Sequence, residues 1–208
     1  LRLRMWTREE LEQDLGIKFQ KWVFLVTYHP VTLNERSSSI AMNELLEALE
    51  EFSETTIIFT KANADTDGRV INQVIEEFIA KKKLDVHLFS SLGQVRFLSL
   101  LRVANVVIGN SSSGIWEAPF AKTATVNLGD RQKGRIRTAS IIDCEENRKA
   151  IIQAVELGIS PEFKENIQAA ASFYGAGNVS KEVVGILKEK NLKDTLMKEF
   201  YDLPVCKI

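Results

Sequence analysis

The 208 residues include 45% hydrophobic side chains, enough for a sizeable buried core. Lys plus Arg number 27 and Asp plus Glu 28, so no overall charge draws the chain to nucleic acid or to an anionic membrane surface, and any anion site must be local. Cys144 and Cys206 form neither a CxxC pair nor a disulfide framework, no apolar run reaches the roughly 20 residues of a spanning helix, and no leader is evident; a cytoplasmic protein is expected.

The chain opens on Leu1 without an initiator Met, as expected of a fragment. "TREE" offers a capping box, Thr7 with Glu10, ahead of Leu11 and Leu15 at helical spacing, and Gly16 ends that helix. "KWVFLVTYHP" is a compact apolar run closed by Pro30, the pattern of a strand buried on both faces that delivers His29 to a Thr-, Asn- and Ser-rich loop. The alternation then repeats. "SSIAMNELLEALEEF" reads as a helix, "TTIIFTK" as a strand, "GRVINQVIEEFIAKKK" as a helix, "LDVHLFS" as a strand and "GQVRFLSLLRVA" as a helix. "NVVIGN" is a strand, "SGIWEAPF" opens a short helix, "TATVNLG" and "ASIID" are strands, and the chain from Glu145 onward is mostly helical. Short apolar strands alternating with helices predict a three-layer α/β domain on a parallel sheet, whose ligand lies beyond the carboxyl ends of the strands at the switch point of strand order.

Five polar stretches, "TYHPVT", "TKANADTDGR", "SSLGQ", "GNSSSG" and "NLGDRQKGR", each follow a strand and so share one face. "GNSSSGIWE" opens a helix there, turning unpaired amides and the positive end of the helix dipole toward the ligand face. Ser111, Ser112 and Ser113 add hydroxyl donors, and Gly114, with no Cβ, permits close approach of a phosphate. Glu117 is placed to accept from vicinal ribose hydroxyls. A helix cap followed by a solvated Glu explains the same residues equally well. The loop lacks the Lys-Ser/Thr of a Walker A motif and the G-x-S-x-G of a hydrolase elbow, so the serines are not read as nucleophiles.

"GDRQKGR" concentrates Arg131, Lys133 and Arg135 in an otherwise balanced chain, either as forks for phosphate or as a solvated basic loop. His29, at a strand end, is a phosphate donor, an acid/base group or a hydrogen-bonded structural imidazole; His87, inside a strand, reads as structural. Asn63, Asp65 and Asp67 before Gly68 are explained by turn chemistry, and the closing glutamate of a calcium loop is missing, so no metal is expected.

In order, "VTYHPVT", "NADTDGR", "GNSSSGIWEAP", "NLGDRQKGR" and "YGAGN" resemble the second domain of UDP-N-acetylglucosamine 2-epimerases, most closely the hydrolysing, sialic-acid-pathway branch. The resemblance runs from about Leu11 to about Lys188. It implies the second half of a two-domain GT-B-type architecture, like UDP-glycosyltransferases and glycogen phosphorylase, divided here as an opening helix and linker over 1–20, a UDP-binding Rossmann-like domain over 21–190 and a C-terminal helical tail over 191–208.

The resemblance further implies that Ser111 and Ser112 hold the diphosphate, flanked by Ser113 and Gly114. It places Glu117 on the ribose, His29 at the diphosphate in a supporting role, and Asn63 with the turn at Ser91 and Leu92 around the uridine. Arg131, and more weakly Arg135, would supply positive charge. The implied reaction eliminates UDP across C1 and C2 of UDP-N-acetylglucosamine to a 2-acetamidoglucal, which water converts to free N-acetylmannosamine. No cofactor is implied, the acid/base carboxylates belong to a missing N-terminal domain, the isolated fragment is expected to be inactive, and the full-length protein is expected to be a homodimer.

The chain departs from the family at Lys61-Ala62, where an aromatic-Pro pair is common, and at Ala124, where Pro is common, which leaves the sugar substituents open. Three other readings remain: a 2-epimerase for a diacetamido sugar nucleotide or a non-hydrolysing epimerase, a GT-B glycosyltransferase, and a non-catalytic nucleotide-binding module.

Overall fold

The computed structural model describes residues 3–31, 37–63, 67–81, 84–170, 174 and 177–190. Its elements in chain order begin with α1 (Arg8–Leu15), β1 (Trp22–Thr27), α2 (Ser38–Leu49), β2 (Thr55–Thr60), α3 (Gly68–Ala80), β3 (Asp85–Phe89) and α4 (Gly93–Val103). They continue with β4 (Val106–Gly109), α5 (Ser113–Trp116), α6 (Ala118–Ala121), β5 (Ala124–Leu128), β6 (Ile141–Cys144), α7 (Arg148–Ile159), α8 (Pro161–Ala169) and α9 (Val179–Glu189). The expected alternation is therefore present. The one helix expected at "SGIWEAPF" is two short ones, because the chain turns at Glu117 and α6 ends at Lys122 in the left-handed region.

All six strands are parallel, in the order β3-β2-β1-β4-β5-β6, so the strand order reverses between β1 and β4. Alternation along β1 buries both faces of the sheet. Phe24 and Val26 join Met42 and Leu45 of α2, Ile71 and Ile75 of α3, and Ile151 and Val155 of α7. Val23 and Leu25 join Leu11 of α1, Leu100 of α4 and Ala118 of α6 on the opposite face. These are the three layers of an α/β Rossmann-like domain.

The opening segment carries the expected helix. Thr7 and Glu10 form the full capping box of α1, Gly16 closes it at φ 68°, and Leu11 is fully buried. Glu12 is buried as well, its carboxylate accepting from Lys18 Nζ at 2.5 Å and from the Phe19 amide at 3.0 Å. The first compact unit thus takes in the opening helix and runs Leu1–Phe173, and a second unit, Tyr174–Ile208, begins before residue 190. Within the second unit α9 is an amphipathic helix preceded by Asn178 at φ 67°, and the expected tail over 191–208 lies outside the described residues. Among the described residues no helix is long and apolar enough to cross a membrane.

Candidate functional site

The switch point is built where β1 and β4 run side by side, with Thr27 and Gly109 as register partners. Gly109 has φ 132°, and a Cβ there would lie 2.0 Å from the Thr27 carbonyl oxygen, so a glycine is needed for the two strand ends to approach. The chains then diverge into His29 and Asn110. Asn110 is fully buried and bridges them: its Oδ1 accepts from the His29 amide at 2.7 Å and its Nδ2 donates to the His29 carbonyl at 2.8 Å.

Two further loops join this pair. The Asn63 amide, after β2, donates to His29 Nδ1 at 3.2 Å, which in a neutral imidazole leaves the ring proton on Nε2. Gly68 begins α3 where a Cβ would meet the Asn63 carbonyl oxygen at 2.0 Å, so only a glycine lets the two backbones come this close; Asp65 lies outside the described residues. From the loop after β5, Arg131 Nη1 donates at 3.1 Å and Gln132 Nε2 at 2.7 Å, both to the Asn110 carbonyl oxygen.

Ser111 and Ser112 follow Asn110 directly, half-buried, at the start of α5. The Ser113 hydroxyl donates to Ser111 Oγ at 2.9 Å, and Ser112 makes no side-chain cap. The Ser111 and Ser112 carbonyls accept α5 amides, whereas among the described residues the amides of Ser111 and Ser112 themselves donate to nothing. Two adjacent N–H groups beside an Arg131 guanidinium tied to the same turn form a donor cluster suited to an anion.

Other expected site residues fall differently. Leu92 is 3% exposed, its side chain inside the apolar cluster with Leu11 and Leu100, so any part it takes in the expected uridine pocket falls to the backbone of its turn. Ser91 is exposed, and its Oγ accepts from the Gly93 amide at 3.2 Å. At Gly114 a Cβ would meet Thr125 Cγ2 at 2.6 Å, so the glycine allows α5 to pack onto β5. Glu117 is exposed on a cavity of about 660 Å3 with Leu98, Arg102 and Phe120.

Arg135 lines a separate cavity of about 720 Å3 beyond β5 and β6, with Lys133, Arg137, Asp143 and Glu146. There Arg137 Nε donates to Asp143 at 2.8 Å, and Asn127 Nδ2 donates to the same carboxylate at 2.6 Å. Burial pushes the Asp143 carboxyl upward, but these hydrogen bonds outweigh it and hold the group below the usual range. Cys144, on the same cavity, is pushed up to about 11 by burial, reinforced by the Glu145 and Glu146 carboxylates. Its thiol is therefore expected to react with iodoacetamide at pH 8 at least about tenfold more slowly than in the urea-unfolded chain. A mass-spectrometric time course on a Cys206→Ser variant measures this, and equal rates in both states would contradict it.

Asn110 and Gln132 were not anticipated as site residues. The only sequence signal for Asn110 was a polar residue directly after a buried strand, and Gln132 was masked by the charges around it.

The family described as UDP-N-acetylglucosamine 2-epimerase matches residues 3–188. The chain is 43% identical over 197 residues to the GDP/UDP-N,N'-diacetylbacillosamine 2-epimerase (hydrolyzing) of Campylobacter jejuni, covering 94% of this chain and 51% of that protein. It is 34% identical over 208 residues to the polysialic acid biosynthesis protein P7 of Escherichia coli, covering 99% and 52%. The chain thus spans about half the length of the curated relatives it matches. In fold it is similar to the UDP-GlcNAc 2-epimerase of Neisseria meningitidis solved bound to UDP-GlcNAc, with a TM-score of 0.71 at 19% identity, covering 88% of this chain and 49% of that one.

Proposed function

The chain belongs to the UDP-N-acetylglucosamine 2-epimerase family, and on that premise we propose that it is the nucleotide-binding half of a hydrolysing sugar-nucleotide 2-epimerase. The observation that carries the reading is the donor cluster at the switch point, two unengaged amides at Ser111 and Ser112 beside Arg131. Its ligand in this reading is the diphosphate of a UDP-sugar, with Glu117 toward the ribose and the turn at Asn63 and Ser91 toward the uracil.

The chemistry assigns this half a defined task. When the C1–O bond breaks and the C2 proton leaves, UDP departs and a glycal double bond forms between C1 and C2. Negative charge grows on the departing diphosphate, and donors fixed before the reaction stabilise it without reorganisation. Water then adds across the double bond, giving the free sugar inverted at C2. Proton transfer at C2 requires acid/base groups, which this reading places in the part of the protein outside the chain. The full protein is proposed to be a homodimer.

The sequence alone pointed to UDP-N-acetylglucosamine as substrate. The Campylobacter relative, named for a diacetamido sugar, favours a 2,4-diacetamido sugar nucleotide instead. Incubating the protein that carries this chain with each nucleotide sugar decides the point: free 2-epimeric sugar plus UDP is expected, faster from the diacetamido substrate. A product still bearing UDP would overturn the hydrolysing assignment, and transfer to an added acceptor would make the protein a glycosyltransferase. In the chain itself, Glu117→Ala and Ser112→Ala are each expected to weaken UDP about three- to tenfold in a calorimetric titration.

A further inference from the structure

The polar cluster under the donor site has no assigned role, and its geometry is unusually complete. Besides its backbone amide's bond to the Thr27 carbonyl, Asn110 takes part in hydrogen bonds that join three loops: two side-chain bonds to the backbone of His29, and two donors, from Arg131 and Gln132, onto its carbonyl oxygen. A carbonyl oxygen has two lone pairs, so that acceptor is saturated. Its peptide unit is the one whose N–H is Ser111, the first of the two unengaged amides. The orientation of the Asn110 carbonyl therefore fixes the direction in which the Ser111 amide points. Gln132 is 1% exposed and, with Nε2 committed to Asn110, its Oε1 has no hydrogen-bond partner among the described residues. A residue chosen for fold stability alone would not leave a buried acceptor unpaired, since that costs free energy.

We infer that Asn110 and Gln132 are positioning residues for the diphosphate subsite: together they lock the Asn110–Ser111 peptide so that its amide, Arg131 and His29 converge on one ligand group. The inference rests on the nucleotide-diphosphate reading above. It separates the two ends of the ligand: although the Asn63 amide donates to His29 Nδ1, the Asn63 turn, which that reading places at the base, is also held from α3, where Asn72 Oδ1 accepts from the Ala62 amide at 2.9 Å. Loosening the Asn110 peptide should thus weaken the grip on phosphate and leave nucleoside contacts almost unchanged.

Titrating UDP by calorimetry and uridine by ligand-observed NMR into the chain and two variants tests this. Asn110→Ala is expected to raise the UDP Kd at least about tenfold and the uridine Kd less than about twofold. Gln132→Met keeps the volume, removes one donor to the Asn110 carbonyl and removes the unpaired Oε1. It should weaken UDP about three- to tenfold while the melting temperature stays level or rises. If Asn110→Ala does not fold, Gln132→Met decides alone. Equal losses for UDP and uridine, no loss of UDP affinity, or a lower melting temperature in Gln132→Met would each overturn the inference. No UDP binding by the unmodified chain would instead overturn the functional reading beneath it.

Discussion

Gly109→Ala is expected to lower the unfolding free energy by about 4 kcal/mol. Two costs combine. A non-glycine residue at φ 132° carries backbone strain of about 1–3 kcal/mol. The added Cβ would also lie 2.0 Å from the Thr27 carbonyl oxygen and 2.7 Å from its carbon, atoms of a central strand that cannot move away as a side chain could. Relief requires β1 and β4 to separate at their paired ends, which adds about 1–3 kcal/mol of packing loss. The same separation would pull His29 from Asn110, so residual folded protein should bind UDP poorly. Urea unfolding followed by circular dichroism measures the first effect, and a loss below about 1 kcal/mol would show that the strand ends are more accommodating than their spacing implies.

The contrast with Gly114 shows what sequence could and could not reveal. Both glycines lie within a few residues in a stretch that reads as a phosphate loop, and the freedom of a missing Cβ is visible at each. What that freedom serves is a tertiary fact: at Gly109 it admits the backbone of β1, at Gly114 the methyl of Thr125. The strands were legible because Val, Ile and Phe runs bounded by polar turns have few other ways to be buried. The opening helix was legible because its cap is local, with Thr7 and Glu10 three residues apart. Its packing was not, since the partner of Leu11 is a cluster assembled from β1 and α4.

The burial of the Leu92 side chain was hidden for a related reason. An apolar residue in a polar turn can face the ligand or the core with the same sequence around it, and here the core claims it. The basic loop divided in the same way. Arg131 turns inward to the Asn110 carbonyl, whereas Arg135 lines the cavity whose inner ion pair is Arg137 with Asp143. Charge spacing announces a basic loop but not which of its cations a neighbouring carbonyl or carboxylate will capture.

Ser112→Glu is expected to weaken UDP binding about 100-fold while leaving the fold at least as stable as before, a pairing that an ordinary helix cap would not produce. Ser112 makes no capping bond and is half-buried at the start of α5, so nothing in the fold depends on its hydroxyl. A carboxylate near the first turn of a helix is neutral to favourable there, by up to about 1 kcal/mol. Toward a bound diphosphate the same carboxylate is a like charge within a few ångströms, opposing binding by about 2–3 kcal/mol at an effective dielectric near 20. Ser112→Ala removes only a neutral donor and should cost far less, so the ratio between the two variants isolates charge from hydrogen bonding. Raising the salt concentration should recover part of the Glu variant's loss and little of the Ala variant's. Calorimetric titration at two ionic strengths, alongside thermal melts, supplies all four comparisons. If both variants bind UDP equally well, the anion lies elsewhere on the strand-end face, and the serines revert to an ordinary turn into a short helix.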